Sequence, residues 1–181
     1  MTDITVRALG DEEWQVYRDV RLTALREAPD AFAASVSQEE KFDDELWQAR
    51  VKRSRRLVAE DGEKVVGVVS VGSNPKNDDD RVSELFGLWV NPELRGKGVA
   101  WKLVDAGVRQ ARQDNFDFVL YWVGTDNGRA VAFASSFGFR PTDGRRPMQT
   151  STSDDEDVSE NEMAMVYPLG DDPGAVPSSV L

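Results

Sequence analysis

ELFGLWVNPELRGKGVAWKLVDAGVRQA, residues 84–111, is the stretch from which the rest of this 181-residue chain can be placed. Its apolar run Leu85 to Val90, rich in aromatic and branched side chains, predicts a buried strand that Asn91 and Pro92 end. Arg95-Gly96-Lys97-Gly98-Val99-Ala100 follows as a glycine-bearing turn, and Ala100, Val104, Gly107, Val108 and Ala111 share one stripe of the helix it starts. A strand-to-helix turn without bulky side chains lets peptide N–H groups converge on one point, which suits a phosphate. On this reading alone the two glycines could equally do no more than join strand to helix. A Walker A loop is excluded, since the four-residue spacer and the Lys-Ser/Thr pair are missing. A dinucleotide fingerprint is excluded too, because it needs glycine where Trp101 stands.

The turn resembles motif A of the GNAT superfamily of N-acetyltransferases, R/Q-x-x-G-x-G/A, met here by Arg95, Gly98 and Ala100. A second segment, Asn127-Gly128-Arg129-Ala130-Val131-Ala132-Phe133 followed by Gly138-Phe139, is similar to that family's N-x-x-A-x-x-L-Y-x-x-x-G-F. The likeness runs from about residue 4 to Pro168. It implies an α/β (α+β) fold with one domain over 1–169: a mixed, mostly antiparallel twisted sheet of six to seven strands flanked by about four helices. It also implies acetyl-CoA as cosubstrate.

Acetyl-CoA makes three demands. Its diphosphate needs convergent donors, which the amides of Gly96, Gly98, Val99 and Ala100 can supply, with Arg95 or Lys97 adding charge. The resemblance lays the pantetheine arm along the backbone of Leu88 and Val90, in a V-shaped gap where Asn127 would bond it and Phe133 would lie close. A peptide N–H near Trp89 or Val90 would face the charge that grows on the thioester carbonyl. Glu84, eleven residues before Arg95, matches the position of a base glutamate in histone-acetylating members and is the candidate to deprotonate the amine; a salt-bridged strand-edge glutamate is the other reading of it. One departure matters: Ala134 stands where many members carry the Tyr that protonates the departing thiolate, leaving Ser135, Tyr121 or water as substitutes.

Composition narrows the chemistry. The chain has no Cys and no His, so disulfides, Cys/His metal sites, a Cys nucleophile and a Ser-His-Asp triad are excluded, and neither metal nor covalent acyl-enzyme is expected. With a formal charge of −11, general nucleic-acid binding is not expected, the basic run Arg50 to Arg56 more simply joining a helix to a strand. The acidity would draw in cationic amines, or simply maintain solubility. The N-terminus has no apolar signal region, and no apolar run reaches the roughly 18 residues of a membrane span, so a cytoplasmic location is expected.

Along the chain, Ile4, Val6 and Ala8 alternate as a half-buried strand, and Asp11 is placed to cap a helix carrying Trp14, Tyr17, Val20, Ala24 and Leu25. A second helix is expected over residues 43–51, then a hairpin of strands 56–60 and 65–72 about Asp61-Gly62, a strand over 116–123 and a helix over 129–137. Residues 143–161 read as an acidic loop before a last strand at 162–168, and 170–181 as a flexible tail. The connection between the first two helices implies, by resemblance, acceptor contacts at Phe32, Ser35, Ser37, Glu39 and Glu40. The function expected is acetyl transfer from acetyl-CoA to a primary amine of a small molecule or peptide, by direct attack in a ternary complex, and the resemblance allows a homodimer. The alternative, which Ala134 feeds, is an acyl-CoA-binding regulatory module with little turnover.

Overall fold

A computed structural model describes residues 3–29, 35–74, 79–147 and 161–180. Alternating apolar residues build seven strands: β1 (Ile4–Ala8), β2 (Arg55–Asp61), β3 (Lys64–Gly72), β4 (Val82–Val90), β5 (Phe118–Gly124), β6 (Arg140–Pro147) and β7 (Asn161–Pro168). They form one sheet in the order β1-β2-β3-β4-β5-β7-β6. Only β4 and β5 run parallel; every other neighbour is antiparallel. A parallel pair needs a crossover, and α4 (Val99–Gln113) supplies it. The other helices are α1 (Trp14–Glu27), α2 (Val36–Glu39), α3 (Asp44–Arg53) and α5 (Gly128–Phe137).

The sheet is covered on both sides. Val99, Leu103, Val104, Val108 and Ala111 of α4 pack with Leu57, Val69, Val71 and Leu85, and α5 joins the same cluster through Ala134. The buried stripe of α4 thus includes Val99 and Leu103, beyond the positions read from the sequence. Gly107 lets the helix lie close: a Cβ there would stand 2.9 Å from Leu85 Cδ1. Leu103 is 0% exposed, so Leu103→Ala is expected to cost about 2–5 kcal/mol in denaturant unfolding with CoA absent. Tyr17, Val20 and Leu25 of α1 and Trp47 and Val51 of α3 pack with Val58, Val68 and Trp89 as a second cluster.

At three places the structure departs from what the sequence alone predicts. Asp11 lies in a 3-10 turn and caps nothing; Glu13 instead reaches back to the Gly10 N–H at 3.0 Å and pairs with Arg7 at 2.8 Å. Residues 143–147 belong to β6, bonded to β7 through Arg145 opposite Met163 and Arg146 opposite Glu162, while the remainder of the expected acidic loop up to 160 lies outside the described residues. The end of the tail is packed: Val180, 3% exposed, inserts among Val82, Phe118, Leu120, Ala164 and Val166, so apolar burial offsets the poor local propensity of its Pro, Gly and Ser.

Candidate active site

The central strand is interrupted in the middle of its pairing. Trp89 stands opposite Val68 but Phe86 stands opposite Ser70, so β4 carries one residue more than β3 between these rungs. Gly87 absorbs the extra residue with φ +66°, a left-handed conformation that side chains disfavour. On its other side β4 keeps to β5 only as far as Leu85 opposite Tyr121. Beyond that rung β4 continues to Val90 bonded to β3, β5 continues to Gly124 bonded to β7, and a gap opens between them.

Backbone direction decides which groups face the gap. Val90 stands opposite Gly67, and the flanking bond runs from the Asn91 N–H to the Val66 carbonyl at 2.8 Å. That pattern marks a non-hydrogen-bonded pair, so the N–H and C=O of Val90 turn away from β3, toward the gap. Arg95 Nε donates to the Val90 carbonyl at 3.2 Å, which leaves the N–H as the group Val90 can offer. By the same alternation Leu88 turns its peptide groups the same way and Trp89 does not. The Trp89 indole points elsewhere too, donating through Nε1 to Glu27 Oε2 at 2.7 Å. Of the two expected oxyanion donors, Val90 alone faces the gap.

The loop at the end of β4 is built from two left-handed glycines, Gly96 (φ +80°) and Gly98 (φ +82°), and Gly98 is the N-cap of α4. The first bond of α4 runs from Lys102 N–H to the Gly98 carbonyl at 3.1 Å, so the N–H groups of Gly98, Val99, Ala100 and Trp101 have no partner within the helix. Apart from its own chain neighbours, no atom of the described residues lies within 4 Å of a Cβ built at Gly96 or at Gly98. A pocket of about 430 Å³ opens here, walled by Val90, Leu94, Arg95, Val99, Trp101 and Phe133. Arg95 is drawn back onto Glu27 at 3.0 Å, whereas Lys97 is exposed and so is the cation left to meet a phosphate. Trp101 was not singled out from sequence. It is 48% exposed and leans on Phe137 with ring centroids 5.3 Å apart, and the available signal was a large apolar residue on the otherwise solvated side of α4.

Asn127 caps α5, its Oδ1 accepting from the Ala130 N–H at 3.1 Å, which leaves its amide NH₂ to donate. Ala134 is buried at 1% exposure and offers no acid. Tyr121 sits on the rung where the gap begins and packs edge-on against Phe139 at 6.0 Å; burial, with a smaller push from Glu162, raises its hydroxyl above the usual tyrosine range.

Glu84 lies on the sheet face opposite Leu85, 9% exposed. Trp122 Nε1 donates to its Oε1 at 2.9 Å and Asn74 Nδ2 to its Oε2 at 2.8 Å, so the carboxylate is fixed by neutral donors. It borders a cavity of about 640 Å³ with Asp79, Arg81, Arg146 and Ser178. The expected acceptor contacts fare differently. Glu39 is 3% exposed and holds Arg21 at 3.2 Å and Arg50 at 2.7 Å, Glu40 holds Arg26 at 2.6 Å, and Ser35 and Ser37 share a hydroxyl contact at 2.7 Å. Both carboxylates are committed to arginines. Phe32 lies outside the described residues.

Burial works to raise the Glu39 carboxyl, but the bonds and charges of Arg21 and Arg50 outweigh it and hold the group below its usual range. A depressed carboxyl contributes stability above its unfolded pKa, about 4.5, and loses it as pH falls through the folded value. Glu39→Gln is expected to cost about 3 kcal/mol at pH 7, by leaving two guanidinium groups against a neutral amide, and to cost progressively less below pH 4.5. Urea unfolding at pH 7 and pH 3 measures this; an equal loss at both would contradict it.

Among the described residues no helix is long and apolar enough to cross a membrane. Residues 22–139 match the model of the acetyltransferase (GNAT) family. A mycothiol acetyltransferase of Rothia mucilaginosa is 34% identical over 143 residues, covering 70% of this chain and 40% of its own. An uncharacterised N-acetyltransferase of Methanocaldococcus jannaschii is 27% identical over 95 residues, 51% of this chain and 42% of its own. The chain thus spans about two fifths of these curated relatives. A putative acetyltransferase from Salmonella typhimurium, solved with acetyl-CoA, superposes at a TM-score of 0.71 with 19% identity, over 97% of this chain and 98% of its own. An acetyltransferase from Streptococcus pneumoniae gives 0.72 at 13% identity, over 92% and 100%. At such identities these two speak for the fold.

Proposed function

The chain belongs to the acetyltransferase (GNAT) family, and we propose that it is an acyltransferase that moves the acetyl group of acetyl-CoA directly to a primary amine in a ternary complex. The carrying observation is the meeting of an open glycine cradle below four unpaired N–H groups with a gap in the sheet that begins one rung from Glu84. These features fit a diphosphate followed by an extended arm. Gly98, Val99, Ala100 and Trp101 would hold the diphosphate through their peptides, with Lys97 adding charge. The peptide groups of Leu88 would bond the arm, and the Asn127 NH₂ group would reach it from the other wall.

Acetyl-CoA supplies an activated carbonyl and a thiolate that leaves without strong assistance. Glu84, held in place by Trp122 and Asn74, accepts the proton of the acceptor's ammonium group, so that the lone pair becomes available. The N–H of Val90 faces the negative charge that develops on the carbonyl oxygen. The new C–N bond forms as the C–S bond breaks, and the second proton left on the nitrogen passes to solvent. With Ala134 in place of a hydroxyl donor, the departing sulfur takes its proton from solvent, which a thiol with a pKa of roughly 8.5 permits.

The chain has no cysteine, so a thiol reagent reports only released CoA. Mixing protein, acetyl-CoA and a panel of primary amines is expected to give amine-dependent thiol release. Saturable CoA binding with no release across the panel would favour the second reading, an acyl-CoA-binding module, for which Ala134 speaks.

A further inference from the structure

On the face of β4 that carries Glu84, four arginines gather around a niche of about 50 Å³ whose wall includes Phe86 and Gly87 of the bulge. Arg21 and Arg50 share Glu39. Arg53 is exposed and makes no ion pair with any described residue. Arg56 is 1% exposed, yet among the described residues its guanidinium bonds only neutral oxygens: the Arg50 carbonyl at 3.1 and 2.8 Å and Ser70 Oγ at 2.8 Å. It lies over the rings of Tyr17 at 4.5 Å and Phe86 at 5.5 Å. Burial, ahead of repulsion from Arg50, Arg53 and Arg21, brings Arg56 down to about 10, with Tyr17 acting the other way, so it stays charged at neutral pH. A buried cation without an anionic partner is costly unless something supplies the missing charge.

We propose that the niche beside Gly87 receives the carboxylate of the acceptor, held by Arg53 and Arg56, so that the amine acetylated is the α-amine of a free amino acid. The inference deepens the amine-transfer reading and rests on it for the position of the reacting nitrogen. Three observations agree. Glu84 and Phe86 project from the same face two residues apart, roughly 7 Å along the strand, so the proton acceptor and the niche stand within one small molecule's length. The niche admits a group of carboxylate size and little more. Phe86 is 40% exposed at its rim, an apolar platform for an amino-acid side chain.

The test compares the twenty L-amino acids with their carboxamides as acceptors, in wild type and in Arg53→Gln, a surface change that the native thermal midpoint will verify as folded. For the best acceptors kcat/KM is expected to be at least tenfold higher for acid than for amide, mostly through KM, and the ratio is expected to collapse toward one in Arg53→Gln. Amides used as well as acids, or an unchanged ratio in the variant, would overturn the proposal while leaving amine transfer standing. Should no amine be turned over, the amine-transfer reading falls, and calorimetry still judges the niche. N-acetylglycine is expected to bind the CoA-bound protein at least tenfold more tightly than N-acetylglycinamide, and equal binding would overturn the proposal.

Discussion

Glu84→Gln is expected to lower kcat for acetyl transfer by 10²- to 10³-fold while CoA affinity stays within about twofold, because a positioned base contributes about 10²–10⁴ to such a step. The substitution is conservative. Glutamine keeps the shape of the side chain and an oxygen for the Trp122 indole, and the Asn74 amide can present its oxygen in place of its nitrogen. What it removes is the ability to take a proton. Because the base acts on the ammonium form, raising pH toward the free pKa of the amine should restore part of the lost rate. Stopped assays of thiol release against pH, with CoA binding followed by calorimetry, separate the two effects. Transfer at the wild-type rate in the variant would return Glu84 to a structural role.

Gly98→Val is expected to weaken CoA binding by at least thirtyfold. At φ +82° an L-residue is strained by about 1–2 kcal/mol, and a β-branched one more, so the loop escapes to another conformation and the N–H groups at the start of α4 no longer converge. No protein atom crowds the site, so backbone strain and obstruction of the cradle are the only sources of the loss. The order Asn, Ala, Val in increasing damage follows, since asparagine tolerates the left-handed region best. Equal affinities across the series would mean that the loop does not hold the cofactor. The measurement is a calorimetric titration with CoA for each variant.

The sequence carried the fold well where a single period was at stake. Leu85 to Val90, the α4 stripe and the Asp61-Gly62 hairpin each announce themselves within a dozen residues. What escaped depended on partners far along the chain. Gly87 gives no local sign that it is a bulge rather than a strand residue, because the extra residue is defined only against β3. Glu39 and Glu40 looked available for an amine, but their arginines come from α1 and α3. Arg50 and Arg56 read as part of a basic run joining a helix to a strand; the tight turn from α3 into β2 carries both guanidinium groups inward beneath Tyr17 and Phe86. An overall charge of −11 therefore misleads about the niche beside Gly87, whose lining carries four arginines and no carboxylate. Among the candidate site residues, Gly96 and Gly98 stand out from their place in a strand-to-helix turn, and Glu84 and Val90 enter only through the family resemblance, whereas Trp89 faces α1 because the pleat alternates about a register the sequence does not state.

Peptide groups around Gly98, and not a distant surface, are expected to receive the cofactor's diphosphate. Amide nitrogen-proton spectra recorded during a titration with acetyl-CoA test it residue by residue. The largest shifts are expected at Gly96, Gly98, Val99, Ala100 and Trp101, with a second group at Leu88 and Val90. Saturable binding that leaves those seven amides unmoved would contradict it.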